Sequence, residues 1–196
     1  MWKIELEEEI LKEMLSNWEA FLFFKDIYWP LHLKQKDLPA QYKNIQLTAG
    51  RLLISIELLS NYSKDDNQNS LSSKDNISQV TEMIDKWRAN WEKKILKEIP
   101  VRVRHWQQIV NDIKTDRAYT NAQLKNDTQV RLMINLLLDQ LDEDKRLEFE
   151  MLLEPFDQRF RSLTTTNEFI LNEEFAEFFP TDQYWFLYRK MQQPGG

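Results

Sequence analysis

One seam of apolar side chains constrains the fold of this 196-residue chain more than any other feature. An apolar residue recurs there at every third or fourth position, at Ile77, Val80, Ile84, Trp87, Trp91, Ile95 and Ile99. Side chains at this spacing lie along one face of an α-helix, whereas a half-buried strand needs them at every second position. The segment therefore predicts a continuous helix from Ile77 to Ile99 that buries this face.

The scarcity of glycine extends the argument to the whole chain. Only 3 residues are glycine, although tight β-turns and phosphate-binding loops depend on this residue for backbone conformations that other residues avoid. Because the apolar residues recur at helical spacing elsewhere as well, the sequence predicts an all-α fold. We expect a single-domain bundle of about six main helices with an aromatic-rich C-terminal segment docked on it.

Proline and capping residues set the ends of these helices in the prediction. Pro30 ends the first helix, Asp37 and Pro39 begin the second, and Asp142 places negative charge at the start of the sixth. The six predicted helices are Ile4 to Tyr28, Asp37 to Tyr62, Ile77 to Ile99, the stretch after Pro100 to Ile113, a stretch from Asn126 or Asp127 to Leu141, and Asp142 to Leu163.

Two segments depart from this pattern. Residues 60–76 contain few apolar side chains and cannot bury enough surface to offset their ordering entropy, so we expect a mobile polar loop. Residues 167–196 are rich in aromatic residues. Neither segment is long enough to establish a second domain, so residues 1–196 are interpreted as a single helical domain.

Several functional classes are disfavoured by residue content. The chain has no cysteine and a formal net charge of −6, which removes thiolate chemistry and argues against a generally basic nucleic-acid binder. The two histidines, His32 and His105, complete neither a Glu-x-x-His pair nor an HExxH motif. No Gly-rich phosphate loop or nucleophile elbow is present. We therefore predict no catalytic, cofactor-binding or metal-binding residues, although an enzyme with dispersed active-site residues stays open.

A basic stretch provides the first candidate site. Seven basic residues stand against three acidic residues between Asp85 and Trp106. Two interpretations stay open: the charges belong to a solvated helix face, or Lys93, Lys94 and Lys97 form a site for an anion, a membrane surface or a nucleic acid. The lysines can be tested directly, because neutralising them must weaken binding to an anionic ligand if the second interpretation holds.

The aromatic C-terminal segment provides the second candidate site. Tyrosine and tryptophan combine a large contact area with a polar tip and are enriched at interfaces. The segment either completes the core or presents a partner-binding surface, for which the candidate residues are Phe178, Phe179, Tyr184, Trp185 and Tyr188.

The function ranked first from the sequence is a non-catalytic protein-interaction or adaptor module. A helical binder of an apolar small molecule ranks second, and an enzyme ranks third. A protein partner, self-association or a small apolar ligand fits these alternatives, and the net negative charge disfavours a nucleic acid. The N-terminus resembles no secretory signal and no segment is apolar enough to span a bilayer, so we expect a cytoplasmic protein.

Overall fold

The computed structural model describes residues 3–33, 44–62, 70–116 and 118–192. Its fold is all-α, as the sequence predicts, with an aromatic cluster in the docked C-terminal region. The described residues form these α-helices, in chain order: α1 (Ile4–Leu22), α2 (Ala49–Tyr62), α3 (Ser70–Lys86), α4 (Arg88–Thr115), α5 (Asn121–Leu138) and α6 (Glu143–Leu163). No described helix is both long and apolar enough to cross a membrane.

The described residues also form four short strands. Strands β1 (Trp29–His32) and β2 (Asn44–Leu47) pair in antiparallel orientation, as do β3 (Thr164–Thr166) and β4 (Arg189–Met191). Two short 3-10 helices, Glu173–Phe178 and Trp185–Tyr188, lie between the last two strands.

The chain divides into two compact units, Met1–Glu98 and Ile99–Gly196. The first part of α4 belongs to the N-terminal unit and the remainder belongs to the C-terminal unit. The prediction that residues 1–196 form a single domain stays a prediction, because the division into two units does not tell whether either unit folds independently.

A buried ion pair joins α1 to α2 inside the N-terminal unit. The Arg51 guanidinium donates two hydrogen bonds to the fully buried Glu7 carboxylate, at 2.7 and 2.8 Å. The Ser55 hydroxyl donates a third at 2.7 Å. A buried carboxylate is tolerated when its oxygens are satisfied in this way, so the pair fixes the register of the two helices.

The helices of the C-terminal unit begin at defined caps. Thr120 and Gln123 form a reciprocal capping box at the start of α5, and the Asp142 side chain accepts from the Lys145 amide at the start of α6. The Asp142 cap is where the sequence places the start of the sixth helix. The prediction that Asn126 or Asp127 caps the fifth helix is wrong, because α5 begins at Asn121.

Other predicted boundaries are also wrong, among them the break between the third and fourth helices at Pro100, because α4 continues through Pro100. The first helix ends at Leu22 rather than Tyr28, and Asn44–Leu47 is a strand rather than the interior of the second helix. The seam from Ile77 to Ile99 is interrupted by a turn at Trp87, where Phe23 packs edge-on at 5.3 Å. Strand pairing and this ring contact join residues distant in sequence, which local spacing does not report.

The predicted loop at 60–76 is helical at both described ends, since α2 continues to Tyr62 and α3 begins at Ser70. The buried Ser73 hydroxyl donates to the Glu8 carboxylate of α1, so a polar residue anchors the start of α3. The rest of that prediction, residues 63–69, lies outside the described residues, as do residues 193–196 of the C-terminal segment.

Candidate anion-binding site

The three candidate anion-binding lysines line one cleft in the N-terminal unit. The cleft has a volume of about 250 Å³ and lies between the first part of α4 and the end of α1 with the turn that follows it. Four lysines and one aspartate line it. We name it the basic cleft and define it by its lining: Leu22, Phe23, Phe24, Lys25, Asp26, Ile27, Asn90, Lys93, Lys94 and Lys97.

Helical geometry explains why α4 places three lysines in the same cleft. Lys93 and Lys97 are four residues apart and therefore lie one above the other, while Lys94 is rotated by one residue toward the core. Asn90 lies one turn before them on the same face. The two outer lysines are exposed and Lys94 is only 5% exposed. The cleft therefore has a buried cation with two exposed cations beside it.

The turn after α1 forms the opposite wall. It is fastened by the Phe23 amide, which donates to the Glu19 carbonyl at 3.0 Å, and by the Tyr28 amide, which donates to the Asp26 carboxylate at 3.1 Å. This conformation directs the Asp26 carbonyl toward α4, where it accepts from the Lys94 ammonium at 3.4 Å.

Lys94 lies over the ring of Phe21, with 4.3 Å between its Nζ and the ring centroid. The ring is fully buried and belongs to an aromatic layer with Trp18 and Trp91, whose rings stack at 5.9 Å. A desolvated ammonium over an aromatic face is stabilised by a cation–π interaction. Within the described part of the chain, the Asp26 carbonyl is the only hydrogen-bond acceptor recorded for Lys94.

The electrostatics of the cleft favour an added negative charge. Burial lowers the pKa of Lys94 below its ordinary value, and the charge of Lys97 acts in the same direction. The carboxylates of Glu98 and Asp26 oppose this shift. Glu98 is itself buried and accepts the Gly50 amide at the start of α2 at 3.2 Å. An anion entering the cleft would therefore stabilise the charged form of Lys94.

Aromatic side chains border the opening of the basic cleft. Phe23 and Phe24 are 53% and 40% exposed, which is unusual for large apolar residues. They bring apolar surface next to exposed lysines. The arrangement suits a ligand with both an anionic group and an apolar part.

Comparison with protein-family models, curated proteins and solved structures found no match to this chain.

The second candidate site, the C-terminal aromatic segment, is packed closely. Phe179 is fully buried and Tyr184 is 4% exposed, while Phe178, Trp185 and Tyr188 are half-buried. The ring of Phe179 meets Tyr184 edge-on at 5.1 Å. The Tyr188 hydroxyl donates to the carbonyls of Phe179 and Ala176, at 2.8 and 3.1 Å. Partner binding through this segment stays a prediction. Because Phe179 and Tyr184 are buried, a partner would contact the half-buried rings of Phe178, Trp185 and Tyr188.

Two cations also pack on aromatic rings in the C-terminal unit. The Arg161 guanidinium lies 3.8 Å from the Trp185 ring centroid, and that of Arg131 lies 5.0 Å from Phe186. Strand β4, which follows the segment, pairs with β3 at the end of α6. These contacts explain why the segment is docked.

Metal chemistry gains no support from the described residues, which contain no group of three histidine, aspartate or glutamate side chains able to hold an ion. Both histidines are exposed. The lining of the basic cleft contains neither of them and no hydroxyl-bearing side chain. The charged groups that line the cleft are four lysines and one aspartate.

Sequence reasoning found three residues of the cleft and missed the rest. Lys93, Lys94 and Lys97 stood out as a charge cluster on a predicted helix. Lys25 and Asp26 gave no such signal, because the turn after α1 was predicted to be helical, and Asn90 carries no charge. The run Phe23-Phe24-Lys25 just before Asp26 is the one local feature that could have suggested a mixed apolar and basic border.

Proposed function

We propose that this protein is a non-catalytic binding protein that holds an oxyanion in the basic cleft. The observation that carries the proposal is the Lys94 ammonium, which is buried, donates to one carbonyl among the described residues and lines a cleft with three more lysines. An ammonium has three N–H donors, so it can serve an external oxygen as well as the Asp26 carbonyl.

The chemistry of the lining narrows the ligand class. Lysine binds a phosphate or carboxylate as a point charge. The lysines of the cleft therefore offset much of the free-energy cost of removing water from the bound anion. Phe23 and Phe24 offer apolar contact at the border. The ligand class is thus an amphiphile with an oxyanion head and an apolar tail, supplied either as a soluble molecule or as a lipid in a bilayer.

Isothermal titration calorimetry with octyl phosphate, below its micelle concentration, tests the proposal. The substitution Lys94→Met keeps the apolar stem and removes the charge, and Lys12→Met does the same to an exposed lysine of α1. A charge-assisted hydrogen bond contributes about 1.5–3 kcal/mol, so Lys94→Met weakens binding by about tenfold or more. Lys12→Met leaves the affinity unchanged.

Further probes separate the two parts of the ligand and its two sources. Inorganic phosphate and octyl glucoside each bind more weakly than octyl phosphate, because each lacks one part. Co-sedimentation with phosphatidylcholine vesicles, with and without phosphatidic acid, shows whether a bilayer can present the head group. Failure of octyl phosphate to bind, or equal binding by wild type and Lys94→Met, contradicts the proposal.

A further inference from the structure

The exposed side of α6 carries three large apolar side chains that the core does not use. Leu147, Met151 and Leu152 are 56%, 69% and 57% exposed. The opposite side of the helix is occupied by Leu153 and Phe160, which are buried. More than half of each of these three side chains is exposed, and exposed apolar surface of this kind can mark an interaction site.

Carboxylates surround these apolar side chains. Exposed carboxylates of α6 include Glu143, Asp144, Glu148 and Glu154. Lys145 and Arg146 are half-buried and paired with carboxylates, as in the 2.7 Å contacts Lys145–Asp142 and Arg146–Glu150, while the exposed Arg159 and Arg161 lie nearer the C-terminal end of the helix. The exposed surface is therefore both apolar and strongly acidic. We name it the acidic face and define it by Leu147, Met151, Leu152, Asp144, Glu148 and Glu154.

The charge of the acidic face excludes several occupants. An anionic bilayer or a nucleic acid would be repelled by it. A second copy of this chain that brought the same face would place carboxylates opposite carboxylates, which costs free energy. A basic partner is complementary to the face.

The shape of the face indicates the form of that partner. Leu147 and Met151 are one helical turn apart, about 6 Å along the axis, and Leu152 lies beside Met151. A helix lying along α6 would meet this spacing with its own apolar residues at every third or fourth position. Methionine is unbranched and adapts its shape to such a surface.

We propose that the acidic face of α6 docks a basic amphipathic helix of a partner protein, with leucine-like residues on its inner side and lysine or arginine at its borders. The apolar contacts supply most of the affinity, and the charges set the orientation and the rate of association. This surface shares no residue with the basic cleft, so the proposal stands apart from oxyanion binding.

The probe is a fluorescein-labelled peptide of leucine and lysine with its leucines at helical spacing, and binding is followed by fluorescence anisotropy. Two control peptides accompany it. One has the same composition with the leucines distributed around the helix, and the other has glutamate in place of lysine. The full-length protein binds the first peptide and binds both controls at least about tenfold more weakly.

Variants locate the binding on α6. Leu147→Gln with Met151→Gln weakens binding by about tenfold, because both apolar anchors are lost. Glu148→Gln with Glu154→Gln weakens it by about fivefold and reduces its salt dependence. The matched control, Glu19→Gln with Glu82→Gln, removes two exposed carboxylates from other helices and changes the affinity by less than about twofold.

Hydrogen–deuterium exchange with the peptide bound provides an independent readout, and we expect the backbone amides of α6 to be protected. Equal affinity for the scrambled peptide, wild-type affinity in both α6 variants, or protection confined to other helices overturns the proposal. A dimer in sedimentation velocity that Leu147→Gln with Met151→Gln dissociates overturns it too, because a second copy would then be the occupant.

Discussion

Two buried cations in this chain have opposite surroundings. Arg131 of the C-terminal unit donates to both oxygens of the Asp157 carboxylate, at 2.9 to 3.2 Å, and Asp157 also accepts from the Trp106 indole at 2.9 Å. Lys94 of the N-terminal unit has one carbonyl at 3.4 Å. Both cations lie over an aromatic ring.

The difference indicates which of the two buried charges the protein itself compensates. Burying a charge costs free energy unless a partner compensates it. The Asp157 carboxylate compensates the charge of Arg131 within the protein, while the buried Nη1 of Arg131 has no hydrogen-bond partner among the described residues. Lys94 is compensated only in part and opens onto a cleft, so the remaining compensation can come from a ligand.

The largest effect is expected when the compensated pair is broken. Asp157→Asn removes the negative charge and leaves Arg131 buried, which lowers the free energy of unfolding by about 3–5 kcal/mol. Urea denaturation followed by circular dichroism measures it. The double substitution Arg131→Met with Asp157→Leu costs less than the single one, because no charge remains buried. A loss of less than about 1 kcal/mol in the free energy of unfolding of Asp157→Asn would contradict the claim that Asp157 compensates the buried charge of Arg131.

Removing the charge of Lys94 is expected to raise the free energy of unfolding rather than lower it. Lys94→Met takes away a desolvated ammonium and keeps the stem over Phe21, so the free energy of unfolding rises by about 1 kcal/mol at neutral pH. The same denaturation experiment measures this gain. A destabilised Lys94→Met variant would show that the ammonium is needed by the fold itself.

The stability gain in Lys94→Met depends on pH. The pKa of Lys94 is lower in the folded protein than its ordinary value of 10.5, which we take for the unfolded chain. Below the folded-state pKa, both states are charged and the cost of burial is fully present. Above it, the unfolded chain binds more protons than the folded protein, so wild-type stability rises with pH. The gap between Lys94→Met and wild type therefore narrows toward pH 10.5, and denaturation at several pH values checks this.

The smallest effect on stability is expected at the two exposed lysines. Lys93→Met and Lys97→Met each change the free energy of unfolding by less than about 0.5 kcal/mol, because both side chains are solvated. Each still weakens octyl phosphate binding in calorimetry, since each removes a charge from the cleft. Unchanged affinity in both variants would remove Lys93 and Lys97 from the site.

Local sequence patterns were sufficient for the fold class and for part of the site. The apolar seam predicted buried residues of α3 and α4, among them Ile84, Trp91 and Ile95, and Asp142 predicted the start of α6. Lys93, Lys94 and Lys97 lie in the same cleft because a helix fixes their relative positions. These features depend on residues within a few turns of each other.

The remaining features depend on contacts between distant residues. The burial of Lys94 requires the turn after α1 to fold over α4, and β1 pairs with β2 across the segment between them. Aromatic content alone was also ambiguous, since Phe179 is fully buried whereas Phe23 is largely exposed. The hydrogen bonds of Tyr188 to the carbonyls of Phe179 and Ala176 help hold the C-terminal segment in place, and no local spacing reports them.

The most direct test of the account is an NMR titration of the Lys94 side chain in the free protein and with octyl phosphate, using Lys94→Met to assign its resonance. We expect the pKa of Lys94 to lie below the ordinary lysine value in the free protein. With octyl phosphate bound, we expect a higher pKa, because the anion stabilises the ammonium. A Lys94 pKa that octyl phosphate leaves unchanged at saturation would contradict the claim that this ammonium serves an external anion.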